Sequence, residues 1–319
     1  MASALRLFLL LALACAAQAQ TYPAKPVRLV VPFPPAGGND VFARIVAQKL
    51  SEAWKQQVLV ENRPGAGGSV GTEFAAKSAP DGYTLLLGHT GTLAINPALY
   101  TKLGYETLRD FAPIGTLASA PLVLVVNSDT TLRTVGELVA RAKSKPGEIN
   151  YASSGNGTGS HLSGELLQSL AGIKLTHVPY KGTSPAITDL LGGQVQMMFS
   201  VIPPALPQIK AGKLRAIAVT SSQRMPQLPD IATVAESGVS GFESTLAYGI
   251  LAPRGTPAPV LEEIHAHLAR ITATKEFRER VDFEGAVVLE GTGADFAALI
   301  REQAEKWGKV IRTSGLKPE

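Results

Sequence analysis

The sequence predicts an α/β protein built as two lobes with a cleft between them. Short apolar segments alternate with segments of helical period along the chain, the pattern of sheets flanked by helices. Two apolar strands, Pro121 to Val126 and Tyr248 to Ala252, bracket a self-contained βα block and read as crossings between lobes. The chain has 319 residues, 45% of them hydrophobic and 18% charged, enough for two full cores. Lobe one is then residues 20–122 plus 251–319, and lobe two residues 123–250.

The N-terminus stands apart. Arg6 precedes a run of Leu, Phe and Ala, then Ala17-Gln18-Ala19, the layout of a secretory signal peptide. Its apolar run is too short to span a bilayer. The expected cut follows Ala19, so residues 1–19 are removed and the protein is exported to the periplasm. Cys15, the only cysteine, leaves with the signal, because the residues before it lack the usual lipoprotein pattern. The exported chain then has no thiol chemistry. Losing Arg6 leaves 29 Lys+Arg against 26 Asp+Glu. With no basic run, nucleic acid is not an expected partner.

Val27 to Phe33 is the first strand. Val41 to Trp54 follows as a helix, with Phe42, Ile45, Val46, Leu50 and Ala53 on one face. Val58 to Glu61 and Tyr83 to Gly88 are strands. Thr134 and Glu137 form a capping box that opens a helix burying Val135, Leu138, Val139 and Ala142. Ile149 to Ser153 is a strand, and His161 to Leu170 a helix with Leu162, Leu166 and Leu170 inward, ended by Gly172. Leu175 to Val178 is a strand, and Ser184-Pro185 starts a helix with Pro at its first position. Val195 to Phe199 and Leu214 to Thr220 are strands. Pro259 to Thr274 and Ala294 to Thr313 are helices, with the strand Ala286 to Glu290 between them. The alternation implies largely parallel sheets.

Three glycine-rich segments follow strands. The first runs from Phe33 through Ala36, Gly37, Gly38 and Asn39 to Asp40, the second through Thr90, Gly91 and Thr92. The third runs from Ser153 through Ser154, Gly155, Gly157 and Thr158 to His161. In open α/β sheets ligands bind beyond the carboxyl ends of strands. A helix N-terminus there offers unpaired N–H groups and a partial positive charge, which suits an anion. Such turns also favour glycine for purely structural reasons, and Asp40 reads equally as a cap or ion-pair partner. His161 reads either as a ligand contact or as a structural hydrogen-bonding group. Tyr180 could wall a small ligand and Lys181 attract it, though a solvated surface cation is the equal alternative for Lys181. The loop from Glu61 to Gly68 reads as structural.

Enzyme signatures are weak. Gly67-Gly68-Ser69-Val70-Gly71 matches G-x-S-x-G, but Arg63 to Ala66 separate Ser69 from the strand that a nucleophile elbow needs. A secreted serine hydrolase using Ser69 is the alternative function. A scaffold with a vestigial cleft is a third reading. Gly155-x-Gly157-x-Gly159 misses the dinucleotide fingerprint at Ser160, and no phosphate loop ends in G-K-[ST]. His265 and His267 lie two apart on a helix and point to different faces. No cofactor, metal or catalytic residue is expected.

From Tyr22 onward the chain resembles the substrate-binding proteins of tripartite tricarboxylate transporters, the Bug receptors. The matching segments include YPAKPVRLVVPFPPAGGND, VENRPGAGGSVGTEFAAKSAPDGYTLLLG, NYASSGNGTGSHLSGELL, HVPYKGTSPAITDLLGGQVQMMF and GILAPRGTP. The resemblance implies a type II periplasmic-binding-protein fold, a small organic carboxylate as ligand, and membrane transporter subunits or a sensor kinase as partner. The chain is expected to act as a monomer. The resemblance also places the ligand's carboxylate deep in the cleft, partly through ordered water, with Phe33 to Asp40 and Thr90 to Thr92 on one side and Ser153 to His161 on the other. Two departures matter. Ala36 stands where members usually have glycine. Ser200 stands where many have aspartate, which leaves a ligand ammonium without a counter-ion and favours a non-amino acid.

Overall fold

The computed structural model describes residues 22–35 and 38–314. The expected signal peptide, with Arg6, Cys15 and the cut after Ala19, lies outside the described residues, as do Ala36 and Gly37.

The chain begins with β1 (Val27–Val31), α1 (Gly38–Trp54), β2 (Val58–Asn62), α2 (Ser69–Ala76) and β3 (Thr84–His89). A π turn at Gly91–Ile95 leads into the short helices α3 (Asn96–Leu99) and α4 (Thr107–Asp110), then β4 (Phe111–Pro121). The second sheet's region holds β5 (Val123–Asn127), α5 (Val135–Ser144), β6 (Asn150–Ser153), α6 (Gly159–Ala171), β7 (Thr176–Pro179), α7 (Thr183–Leu191), β8 (Met197–Ser200), α8 (Ile202–Lys210) and β9 (Leu214–Val219). The chain returns through β10 (Thr245–Pro253), α9 (Ala258–Ala273), α10 (Lys275–Phe283), β11 (Val287–Val288) and α11 (Gly293–Ser314).

Two sheets result. The first has six strands in the order β11-β4-β10-β3-β1-β2, the second five in the order β7-β6-β8-β5-β9. The expectation of largely parallel sheets needs correction. β1 pairs in parallel with β2 and β3, and β6 with β7 and β8. β10, however, is antiparallel to both of its neighbours, and so is β5. The physical reason is connectivity. A strand arriving from the other lobe enters at the end where local strands finish, so it runs against them. β11 is also antiparallel, to β4.

The segment read as one crossing strand, Pro121 to Val126, is broken at Leu122. β4 belongs to the first sheet and β5 to the second. β4 itself, 11 residues long, lies mostly outside the expected strand. The two crossings are tied together at a buried threonine. Thr220 Oγ1 accepts from Leu122 N (2.7 Å) and donates to Ser244 O (2.5 Å). Thr220 N donates to Leu122 O, and Ser244 N to Thr220 O.

Helix positions follow from their apolar faces. α1 buries Phe42, Val46 and Leu50 on the first sheet, while Ala53, expected inward, is exposed. α5 starts at the predicted capping box, with Thr134 Oγ1 accepting from Glu137 N and Glu137 Oε2 accepting from Thr134 N. α6 buries Leu162 and Leu166 and ends at Gly172 in the left-handed conformation. Leu170 is 44% exposed, because the last turn runs past the edge of the core. α7 begins at Thr183, so Pro185 is its third residue rather than its first; its missing N–H still costs nothing there. Lys275–Phe283 forms a helix of its own, capped by Thr274, where only a strand was expected next.

α11 connects both cores. Phe296 and Ile300 pack with Val30, Leu86 and Leu251 behind the first sheet. Trp307, Val310 and Ile311 pack with Leu162 and Leu166 of α6 and with Ile95 and Leu99. A 22-residue helix spans roughly 33 Å, enough to reach across.

Candidate functional site

The ends of β1, β3, β6 and β8 all finish beside the crossings. The pairing of Val123 with Ser200 and of Tyr248 with His89 fixes this arrangement. The loops that sequence singled out therefore gather at one place, where the two sheets face each other.

In lobe one, the Phe33 ring stacks on the His89 imidazole with centroids 4.9 Å apart. His89 is buried, with Tyr248 against its edge. Its Nδ1 accepts from Gly91 N at 2.8 Å. Burial lowers its pKa to about 4, so the ring is neutral at neutral pH. Thr90 and Thr92 are also buried. The Thr90 hydroxyl donates weakly to Thr245 O (3.5 Å) and accepts from Ala247 N (3.4 Å), which ties the loop to the crossing strand. Thr92 Oγ1 donates to His89 O. Gly68 fits between these side chains. A Cβ there would lie 2.7 Å from Thr92 Cγ2 and 2.8 Å from the Phe33 ring, and its φ of +91° disfavours any other residue. The Glu61 to Gly68 segment thus packs, through Gly68, against two of the glycine-rich segments that sequence singled out.

Asp40 is an ion-pair partner and not a bare carboxylate. Arg44 Nε donates to it at 2.8 Å and Asn62 Nδ2 at 2.9 Å. Asn39 sits in the first turn of α1, with a buried side-chain oxygen for which the described residues supply no donor.

In lobe two, the loop folds over a buried polar stack. Ser153 Oγ bonds His177 Nε2 (2.6 Å), accepts from Gly155 N and donates to Gly155 O. His161 Nδ1 accepts from Gly157 N at 3.0 Å. The His161 and His177 rings stack 3.9 Å apart, and Tyr151 stacks on His177 at 4.8 Å. Tyr151 donates its hydroxyl to Glu165 Oε1 (2.6 Å), and Gln168 Nε2 donates to the same oxygen (2.9 Å). Burial, then the neighbouring His177, lowers the His161 pKa to about 3; burial lowers that of His177 to about 4. Burial raises the pKa of Glu165. Thr158 caps α6: its hydroxyl donates to Gly155 O and accepts from His161 N.

Several sequence-predicted residues take other roles. Tyr180 donates its hydroxyl to Asp189 Oδ2 (2.7 Å) and packs, half-buried, against the core cluster of lobe two that holds Val123, Ala186 and Met198. Burial and then Asp189 push its pKa up to about 12. Lys181 is exposed. Ser200 is fully buried and donates to Val201 O. The hydroxyls of Thr90, Thr92 and Thr158 donate to backbone carbonyls, at 3.5 Å for Thr90, which leaves the loop N–H groups as the larger set of donors. Ser154 is half-buried, its carbonyl accepting from Gly182 N. Ser69 is the first residue of α2, and Asn96 Nδ2 donates to its hydroxyl (3.2 Å). An amide donor cannot act as the base a nucleophile requires.

The lobes touch at the loops. A Cβ on Gly157 would lie 2.5 Å from Leu99 Cδ2, and one on Gly159 3.4 Å from Leu246 of β10, a strand of the first sheet. Ser163 Oγ of α6 bonds Ser244 Oγ of the crossing segment at 2.7 Å.

Sequence reasoning passed over His89, His177, Tyr151 and Glu165. The two-residue spacing from His89 to Gly91 was a usable signal. The pairing of His177 with His161 needs the fold, since β7 and α6 meet only there.

The sequence model of the tripartite tricarboxylate transporter family receptor matches residues 42–316. Protein BugT of Bordetella pertussis (strain Tohama I) is 37% identical over 306 residues, covering 96% of this chain and 94% of BugT. An R. palustris protein solved with adipate is 34% identical, covers 93% of this chain and 100% of its own, and has a TM-score of 0.85. MatC from Rhodopseudomonas palustris, solved with bound malate, is 33% identical, covers 91% and 100%, and has a TM-score of 0.80.

Proposed function

The chain belongs to the tripartite tricarboxylate transporter receptor family, and on that premise we propose that it captures a small organic carboxylate between its lobes in the periplasm and passes it to a membrane partner. Members of this family are solute-binding receptors and not enzymes, so the hydrolase alternative is set aside. Residues 1–19 direct export and are cleaved from the exported chain. The partner is either the membrane subunits of a tripartite transporter or a sensor kinase, and the receptor works as a monomer.

One observation carries the ligand class. On each lobe a helix, α1 or α6, begins beyond the carboxyl end of a strand beside the crossings, and the loop before α6 touches lobe one at Leu99. The first-turn amides of a helix precede its own hydrogen-bond ladder and attract an anion. We take lobe one as residues 20–122 plus the return from β10 onward, because β10 pairs within the first sheet from Thr245 and the expected boundary at 250/251 would cut it, and lobe two as the residues between, with the last turns of α11 leaning on lobe two. Phe33, Asn39 and Thr90 to Thr92 then face Ser153 to Thr158 across the ligand. The adipate and malate of the two solved relatives support this class of ligand. Asp40 is paired with Arg44 and Ser200 is uncharged, so neither supplies a counter-ion to a ligand ammonium, and plain carboxylates are preferred over amino acids.

The test is a thermal-shift panel of mono-, di- and tricarboxylates, adipate and malate among them, beside aspartate and glutamate. A ligand that binds only the folded state must raise Tm. A rise with at least one plain carboxylate, larger than with either amino acid, is expected. No rise with any of them would sink the proposal.

A further inference from the structure

We propose that His89 and His161 are positioning residues, one in each lobe: each presents an unprotonated Nδ1 to a glycine N–H of its own loop and so fixes how that loop offers its other amides to the ligand. The ligand part of this proposal rests on the carboxylate reading above.

The geometry repeats in two unrelated surroundings. Gly91 N donates to His89 Nδ1 at 2.8 Å, and Gly157 N to His161 Nδ1 at 3.0 Å. In lobe one the acceptor lies two residues before the donor, the reach of an Asx turn. In lobe two it lies four residues after, reaching back from the first turn of α6. Both glycines need to be glycine. A Cβ on Gly91 would fall 2.4 Å from His89 Cε1, and Gly157 has a φ of +71°. Neither Nδ1 is turned to the ligand, because each is already spent on its loop.

An imidazole that accepts at Nδ1 must be neutral with its proton on Nε2; once protonated, both nitrogens donate. The neighbours enforce neutrality. His89 is buried between Phe33 and Tyr248, the latter a phenol that burial keeps protonated. His161 faces His177 of β7 and Tyr151 of β6, and its Nε2 is 3.7 Å from Glu165 Oε1 on its own helix. A second charge on the stacked imidazole pair is opposed at 3.9 Å. Protonation would set Nδ1–H against the glycine N–H and release the loop.

The test uses substitutions that separate the acceptor from the ring. Asparagine places Oδ1 close to the position of Nδ1 and does not titrate. Leucine has no acceptor. Ligand-free protein is examined first, by hydrogen exchange at the Gly91 and Gly157 amides and by the 15N shifts of the imidazole nitrogens. We expect His161→Leu to reduce Gly157 protection about tenfold and His89→Leu to do the same at Gly91, while His161→Asn and His89→Asn stay within about threefold of wild type. Affinity for adipate and malate at pH 7 should follow the same order, and the Asn variants should keep glycine protection at acid pH where wild type loses it. If a Leu variant fails to fold, the corresponding Gln variant, whose polar end extends beyond the Nδ1 position, takes its place with the same expectation. Unchanged glycine protection in the Leu or Gln variants, or a proton found on Nδ1 at pH 7, overturns the proposal. If neither acid binds wild type, the carboxylate reading is at fault, and exchange and the 15N shifts alone decide the positioning role.

Discussion

The two loops use the same hydrogen bond and rest on opposite foundations. In lobe one the imidazole of His89 lies among Phe33, Tyr248 and the apolar π turn, and Gly68 packs directly against Phe33 and Thr92. In lobe two the imidazole of His161 rests on a polar stack of His177, Tyr151, Ser153 and Glu165. An apolar foundation is part of the core, so damage there lowers global stability. A polar one holds only while every member is satisfied, so damage there first changes the shape of the loop.

The sharpest way to break this contrast is to overfill the first foundation. Gly68→Val adds a branched side chain at a φ of +91°, with Thr92 Cγ2 and the Phe33 ring already closer than 3 Å to its Cβ. Strain and overpacking together should cost about 3–4 kcal/mol. Denaturant unfolding should show this as a lower midpoint with an unchanged slope. A loss below about 1 kcal/mol would mean that the lobe-one loop is as adaptable as its counterpart.

Acid separates the foundations next. Unfolded imidazoles titrate near 6.5, while His89, His161 and His177 are lowered to about 4, about 3 and about 4. As pH falls below about 6.5 the unfolded chain binds protons that the folded chain refuses, so stability present at neutral pH is lost progressively toward pH 4. Each histidine contributes up to about 1.4 kcal/mol per pH unit to that slope. Unfolding midpoints between pH 7 and about pH 4.5 should fall less steeply in His89→Asn than in wild type. His161→Asn should flatten the slope too, though by less if its loop opens locally before the protein unfolds. Equal slopes in wild type and both variants would show that these imidazoles do not titrate with unfolding.

Much of this contrast was hidden in the sequence for physical reasons. The three glycine-rich turns and the two lobes were legible because each strand, turn and helix start is encoded locally. The capping box at Thr134 and Glu137 and the stop at Gly172 are likewise local devices. β4 escaped notice because Pro113 and Gly115 interrupt its apolar pattern, and only pairing with β10 makes it a strand. The hydrogen bonds of Thr90, Thr92 and Thr158 were hidden for a related reason. Hydroxyls in a tight turn are claimed by nearby carbonyls before a ligand can use them. Tyr180 and Ser200 follow strands that end near the cleft, but the directions of their side chains are settled by Asp189 and Val201.

Gly157→Val probes the second foundation. Its left-handed φ and the approach of Leu99 mean that the added side chain displaces the loop from the opposite lobe. That differs from crowding the ligand directly, though the direction of the effect is the same. Binding of adipate or malate should weaken at least tenfold, about 1.4 kcal/mol, while stability falls less than in Gly68→Val. Titration calorimetry with circular dichroism measures both. Unaltered affinity would remove the Gly157 loop from the site.

The smallest effect should come from Lys181, the one side-chain cation near either loop that sequence nominates. It is exposed, and it follows Tyr180, whose ring turns toward Asp189 and the outer core. A charge in water interacts with a ligand several ångströms away through a high dielectric and is screened by salt. Backbone amides at a closed helix start suffer neither loss, and each bond to a charged group contributes roughly 1.5–3 kcal/mol. Lys181→Ala should therefore weaken carboxylate binding by less than about threefold, an effect that shrinks further as ionic strength rises. Calorimetric titrations of wild type and variant at low and high salt measure it. Should Lys181→Ala abolish binding while Gly157→Val is tolerated, a side-chain cation holds the anion. The two foundations would then serve to place a lysine and not a backbone cradle.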